Sequence, residues 1–339
     1  MIVDGVKERT LLALRRAGGK FLSGEELSRL LGVSRTAVWK AVQSLREEGY
    51  NIISRARRGY RLEGIPDLLL PAEISWGLET QWLGRNIYYK DTLASTNELA
   101  KELARQGVEE GTLVIAEEQG EGRGRRGRSW YSPRGQGLLF SLILRPPLQP
   151  AQAPQLTFLA AVAVAETLRK ELGLEAGIKW PNDIYIRGRK VAGILTELSA
   201  ELDRVNFVIM GIGVNVNTSL EDFPPSLQEG ATSLQAEAGR ALSRAALLQK
   251  ILLQIESWYK VFLQDGFPPL RRRWKELAFV LGKEVQVIGP RETFSGLAVD
   301  VDEFGALLVQ VGGGQVRRVL AGDVSLREAV ANGQLTMDN

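Results

Sequence analysis

The 339-residue chain contains neither cysteine nor histidine. The first absence excludes disulfide frameworks, thiol nucleophiles and cysteine metal sites. The second excludes a Ser-His-Asp triad, a histidine base and a zinc hydrolase. Long apolar runs are missing too. The most apolar stretch, Leu156 to Ala165, is far short of the ~20 residues that cross a bilayer. The opening residues, MIVDGVKERT, lack the apolar core of a signal peptide. No membrane partner is expected, and the expected location is the cytoplasm. Chemistry in such a chain must run on Lys, Arg, carboxylates, amides and backbone N–H groups, with or without a bound cation. That favours reactions driven by charge neutralisation and positioning.

Among what is present, glycine stands out at 36 residues, well above the ~7% of an average protein. Without a collagen-like period, the excess points to many turns and close approaches of backbone to ligand. The length calls for two or three domains. Hydrophobic and charged contents of 44% and 24% are those of a globular chain. The net charge is only +3, but residues 1–61 carry a balance of +7 and the remainder one of −4. A basic module therefore precedes a mildly acidic body.

In that basic module, Val6, Leu11, Leu14 and Ala17 fall at helical spacing, and Gly18-Gly19 end the helix. Ser23 and Glu26 have the spacing of a capping box, ahead of a short helix whose apolar face is Leu27, Leu30 and Leu31. Gly32 permits a tight turn, and Ser34 caps a third helix from about Arg35 to Glu48. Its inward stripe is Ala37, Val38, Ala41, Val42 and Leu45. Ser34, Arg35, Thr36, Lys40 and Gln43 remain for phosphates and base edges. Trp39 is open between packing on the wing and touching a duplex. Residues 50–54 and 59–62 read as a hairpin with Arg55, Arg57 and Arg58 at its tip. The pattern is a winged helix-turn-helix over residues 1–64, which binds DNA or, on the blander alternative, docks a protein.

After the Ile65-Pro66-Asp67 linker, residues 68–278 form a second module. Strand-like runs occur at 86–90, 112–117, 138–144, 184–186, 191–198 and 205–216, and helical patterns at 95–105, 154–171 and 240–264. Adjacent strands outnumber βαβ units, so the expectation is α+β, with a mostly antiparallel, mixed sheet and flanking helices. Three constellations stand out. Gly120 to Trp130 (GEGRGRRGRSW) alternates glycine with arginine, offering backbone N–H groups and guanidinium forks to phosphate or carboxylate oxygens. It matches neither the P-loop nor a dinucleotide fingerprint, and the alternative is a flexible nucleic-acid segment. Lys179-Trp180-Pro181-Asn182-Asp183 places a cation beside a strand, with Asp183 able to hold a cation or orient Lys190; the alternative is a turn with a surface ion pair. In Gly211-Ile212-Gly213-Val214-Asn215-Val216-Asn217 the asparagines fall opposite the apolar face, or the run is an ordinary core strand. After Pro268-Pro269 and a basic helix at 270–276, short strands at 284–288, 293–301, 306–310 and 315–320 suggest a small SH3-like β-barrel over residues 280–329.

Together with Ser95-Thr96-Asn97 at a helix start, these motifs resemble one family, the bifunctional biotin protein ligase/biotin operon repressors, over nearly the whole chain. The resemblance implies a class II synthetase-like centre that makes biotinyl-5′-AMP from biotin and MgATP. The adenylate then acylates a lysine of a biotin carboxyl carrier protein. It implies biotin contacts at Ser95, Thr96, Asn97, Gln119, Arg123, Gly124, Arg125 and Lys179. Adenylate contacts would be Arg123, Arg125, Arg128, Trp130, Lys179, Asn182, Asn215 and Arg327, with Lys179 and Arg125 catalytic. Arg327 has the alternative of an exposed tail residue. No clustered carboxylates mark metal ligands. It further implies operator DNA as a partner and a homodimer promoted by biotinyl-5′-AMP. Three rival readings stay open: a biotin sensor without catalysis, a lipoate-type acyl ligase, and a ligase that no longer represses.

Overall fold

The computed structural model describes residues 5–289, 292–320 and 322–326, in two compact units that meet between Trp76 and Gly77. Arg327 lies outside the described residues.

The first unit contains α1 (Val6–Arg16), α2 (Gly24–Leu31), α3 (Arg35–Glu47), β1 (Asn51–Arg55), β2 (Gly59–Gly64) and α4 (Pro71–Ser75). Ser23 and Glu26 form the reciprocal capping box, and Ser34 accepts from the Ala37 N–H at 3.1 Å. Leu11, Leu14, Leu27, Val38, Val42 and Leu45 pack into one core. Leu30 corrects the reading of α2's apolar face, being 65% exposed. In so short a helix Leu27 and Leu31 suffice to meet α3, and Leu30 is turned away from Leu31 by roughly 100°. β1 and β2 pair antiparallel as a wing, extended by a Leu22–Tyr60 bridge. Gly59 permits that bridge, because at φ +96° a Cβ there would stand 2.0 Å from the Leu22 carbonyl oxygen. This unit runs past the linker to Trp76 because Glu73 of α4 is held by both Tyr50 and Arg15.

In the second unit, a seven-stranded sheet is built from β3 (Ile87–Leu93), β4 (Leu113–Gln119), β5 (Gly137–Leu144), β6 (Ala176–Lys179), β7 (Asp183–Ile186), β8 (Arg189–Ala200) and β9 (Val205–Asn215). Its order is β3-β4-β5-β9-β8-β7-β6. Only β3 and β4 pair parallel, joined by the crossover helix α5 (Thr96–Arg105); every other pair is antiparallel. The mixed sheet expected from sequence is therefore present, with β6 as a strand the apolar pattern did not reveal. α6 (Gln155–Leu172) packs on α9 (Arg244–Asp265) and on the sheet. Between β9 and α9 lie two short helices, α7 (Pro225–Gln228) and α8 (Leu234–Ala238). The helix expected from residue 240 begins at Arg244, because Gly239 ends α8 in the left-handed region and Ser243 caps α9. Pro268 and Pro269 lie inside the first turn of α10 (Phe267–Leu277) rather than before it. Their missing N–H groups cost nothing there.

The C-terminal strands are β10 (Glu284–Ile288), β11 (Thr293–Val301), β12 (Leu307–Gln310), β13 (Val316–Val319) and β14 (Asp323–Leu326). They form a five-stranded antiparallel sheet in the order β13-β12-β11-β10-β14, in which β14 is a strand beyond the four read from sequence.

Candidate functional site

A cavity of about 340 Å³ opens in the second unit, inside the usual ~300–1,000 Å³ of small-ligand sites. Its base is the face of β9 that carries Gly211, Gly213 and Asn215. Two side-chain clusters stand on this face, two residues or about 7 Å apart along the strand.

The first cluster is neutral and polar. Gln119 Oε1, at the end of β4, accepts from the Thr96 N–H (2.6 Å) and hydroxyl (3.0 Å). Ser141 Oγ lies 2.8 Å from Thr96 Oγ1 and 2.6 Å from Asn97 Oδ1. Asn97 Nδ2 donates to Leu195 O (3.2 Å) and Glu197 Oε2 (2.7 Å). Asn97 fits so close to the sheet only because residue 211 is glycine, where a Cβ would stand 2.1 Å from Oδ1. Ser95, Thr96 and Asn97 are all buried, positioned by the start of α5. The Asn97 amide is thus fully engaged with protein groups, and Ser95, Thr96 and Gln119 are the side chains better placed to meet a ligand.

The second cluster is charged. Gly193 and Gly213 are paired across β8 and β9, and the Trp130 indole lies over both. A Cβ on either would meet its ring at 2.9 or 2.7 Å. The indole Nε1–H is buried with no acceptor in the described protein. Lys190 Nζ stands 5.4 Å from the ring centroid and 2.7 Å from Asp183. Lys179 Nζ donates to the Tyr185 hydroxyl at 3.2 Å and lies 4.7 Å from that ring's centroid. Burial lowers the Lys179 pKa below an ordinary lysine, with Asp183 opposing the shift. Burial likewise pushes Tyr185 up to about 12, so its hydroxyl stays protonated beside the amine. Arg125, its pKa lowered by burial, reaches Asn182 Oδ1 at 3.3 Å. Asn182 itself is tied to Ile194 O at 2.6 Å, and Asn215 to Thr232 O at 3.0 Å.

The Gly/Arg run is a narrow hairpin. Trp130 N donates to Gly122 O (2.8 Å) and Gly124 N to Arg128 O (2.7 Å), with Arg126 and Gly127 at positive φ. Arg126 and Arg128 both pair with Asp323 of β14, so the C-terminal sheet supports the hairpin. Arg123 sits at the rim, exposed and paired with Glu121 (3.2 Å) and Glu98 (3.8 Å). Of the biotin and adenylate contacts implied by the resemblance, every described one lines this cavity, whereas Asn217 is turned to Leu242 O at 2.9 Å. Asp323 was missed because nothing local marks it, and Ser141 because it reads as an ordinary strand residue. Lys190 was seen only as a partner of Asp183. Among the described residues no group of three or more His, Cys, Asp or Glu is gathered as for a metal ion.

In the first unit, Arg35, Thr36, Trp39 and Lys40 are exposed on α3, and Gln43 is half-buried. Ser34 is occupied as the helix cap. Arg55, Arg57 and Arg58 are exposed at the wing tip. The guanidinium groups of Arg55 and Arg58 stack on Phe21 at 5.5 and 4.7 Å from its centroid, a spacing that orders them in advance of any contact.

Comparisons with known proteins follow the same division. The pattern of an HTH domain matches residues 7–61, that of the Biotin/lipoate A/B protein ligase family residues 89–215, and that of the Biotin protein ligase C terminal domain residues 280–327. The bifunctional ligase/repressor BirA of Bacillus subtilis is 44% identical over 311 residues, covering 92% of this chain and 95% of that protein. The bifunctional ligase/repressor BirA of Escherichia coli is 34% identical over 328 residues, covering 96% and 99%. A solved structure of the biotin protein ligase from Aquifex aeolicus in complex with biotin and ATP superposes with a TM-score of 0.62. It is 31% identical and covers 72% of this chain and 100% of its own. With a relative this similar along both units, the chain belongs to the biotin/lipoate A/B protein ligase family, among its bifunctional ligase/repressors.

Proposed function

We propose that this chain joins biotin to ATP as biotinyl-5′-AMP, transfers the biotinyl group to a lysine of a biotin carboxyl carrier protein, and represses transcription through its winged helix. The observation that carries this reading is the sharing of one cavity by two unlike clusters. An amide- and hydroxyl-lined cluster around Thr96 and Gln119 offers the paired donors and acceptors that the ureido ring of biotin requires. Next to it, Lys179, Lys190 and Arg125 supply the cations that a carboxylate and an α-phosphate need when brought together. A carboxylate oxygen of biotin attacks the α-phosphorus and pyrophosphate leaves. The acceptor lysine's amine then attacks the acyl carbon and AMP leaves. The first step needs clamped oxygens and a neutralised leaving group rather than a histidine base.

Lys190 is oriented by Asp183 over the Trp130 ring and shares with Lys179 the oxygens that join the two substrates. Trp130 forms a wall for the adenine, its indole seated on Gly193 and Gly213. Arg128 faces the phosphates from the rim once they draw it from Asp323. Mg²⁺ enters on the phosphates of ATP as part of that substrate. ATP, carrier protein and DNA meet in the cytoplasm, the compartment we assign. No described helix is long and apolar enough to cross a membrane.

ATP–pyrophosphate exchange tests the chemistry. Exchange that requires biotin is the expected result. Exchange with lipoate instead would move the chain to the lipoate branch, and no exchange with either acid would make it a sensor. For regulation, biotinyl-5′-AMP draws the Gly120–Trp130 hairpin onto the ligand and promotes a homodimer that presents two winged helices to two half-sites. Sedimentation of the chain should show a heavier species with biotin and MgATP than without. The same sedimentation coefficient in both conditions would contradict the dimer.

A further inference from the structure

Trp39 stands half in solvent on the helix read as the DNA-recognition helix. Its helix, α3, is anchored by Val38, Ala41, Val42 and Leu45, while Trp39 is 51% exposed and takes no part in the core cluster of its unit. Leaving so large an apolar ring in water forgoes the burial that stabilises aromatic residues elsewhere.

What surrounds Trp39 points to one occupant. Arg35, Trp39 and Gln43 follow each other at intervals of four and so stand in one row, with Thr36 and Lys40 in the adjacent row. The first turn of α3 contains no acidic residue. An arginine there works against the helix dipole, which favours anions at that end. Such an arrangement suits a polyanion approaching the N-terminal half of α3, the part of a recognition helix that meets base edges. The wing arginines held on Phe21 supply further cations in the same unit. A polyanion accounts for the cations beside Trp39, which an apolar protein surface would leave unpaired.

We propose that Trp39 is a specificity-determining residue that packs its indole against the C5-methyl group of a thymine in the major groove of the operator. Arg35 and Lys40 flank it on phosphates or neighbouring base edges. The proposal rests on the DNA-binding reading above and adds the base that is read. The thymine methyl is the apolar feature of the major groove and the one suited to a side chain without a hydrogen-bond pattern to match.

The test uses the full chain with biotin and MgATP. Duplexes are selected from a randomised library, and each thymine of the selected site is then replaced singly by deoxyuridine, which removes only the methyl. Wild-type binding should weaken about four-fold at one position in each half-site, the usual worth of one buried methyl group. Trp39→Ala should bind the selected duplex at least roughly ten-fold more weakly, as expected for a buried aromatic anchor. It should be indifferent to deoxyuridine at that position and keep the wild-type salt slope, since no phosphate contact is lost. Trp39→Phe should retain most of the deoxyuridine sensitivity, and thermal unfolding checks that each variant is folded. A deoxyuridine penalty that persists in Trp39→Ala would overturn the proposal. So would unchanged affinity in that variant, which would assign the indole to a protein partner. If the wild type selects no duplex at any salt concentration, the DNA reading itself fails, and the thymine contact with it.

Discussion

Replacing Lys179 or Lys190 with alanine should lower biotinyl-5′-AMP synthesis by roughly 10²-fold or more, the loss expected when a preorganised charge worth several kcal/mol is removed from a transition state. Both ammonium groups enter the same cavity, but they are held differently. Lys190 is paired with Asp183 at 2.7 Å, whereas Lys179 leans on the neutral Tyr185 hydroxyl at 3.2 Å. The effect should fall on the turnover rate more than on folding, because both backbones remain in their strands. Near-normal pyrophosphate exchange in Lys179→Ala would remove that residue from the step and leave Lys190 as the bridging cation.

Lys179 also sets a pH dependence. Burial lowers its pKa below the ordinary value of 10.5, so the ammonium loses its proton earlier than an exposed lysine would. Adenylate synthesis should therefore fall on the alkaline side before free lysine titrates. Tyr185, pushed up to about 12, does not contribute that limb. The folded state binds this proton less tightly than the unfolded chain, so Lys179 opposes folding at low pH. That opposition fades as pH rises from the folded pKa towards the unfolded value. Lys179→Arg should erase the alkaline limb of the rate profile.

Gly213→Val should reduce adenylate synthesis by roughly 10²-fold, equivalent to ~3 kcal/mol of transition-state stabilisation lost when the Trp130 indole is pushed off the strand. A Cβ at this position alone would stand 2.7 Å from the Trp130 ring, and the two γ-methyl groups would fill the space the indole occupies. Valine is at home in a strand, and Gly213 lacks the positive φ that would exclude it. The sheet should therefore form while the wall beside Lys190 is lost. Measured KM for ATP should rise, and thermal unfolding should stay close to that of the parent. A variant that unfolds outright would show that Gly213 serves the sheet; one with normal kinetics would remove Trp130 from the nucleotide site.

These residues differ in how visible they are from sequence. Alternating glycine and arginine from Gly120 to Arg128 marks a loop for anionic ligands because both residue types do the same work wherever the chain is placed. Gly211 and Gly213 are legible for a related reason, since two glycines on one face of a strand imply something lying on it. The winged helix showed itself through capping residues and charge, both local signals. Asp323 is different. It meets Arg126 and Arg128 only because β14 pairs with β10 beside the hairpin, a long-range placement with no local trace. The parallel pairing of β3 with β4 and the short strand β6 were hidden likewise. Parallel or antiparallel pairing is decided by connections and packing, and a four-residue strand such as Ala176–Lys179 is too short for its period to register.

The most direct test of the account is a titration of the selected operator duplex with the purified full chain under four conditions: biotin alone, ATP alone, both with Mg²⁺, and both with an excess of unbiotinylated carrier protein. One cavity that makes the adenylate and one adenylate that drives DNA binding predict tight binding only in the third condition. Binding should be lost in the fourth as biotin passes to the carrier. Equal operator affinity in all four would contradict the account, because the winged helix would then act without reference to the site that makes biotinyl-5′-AMP.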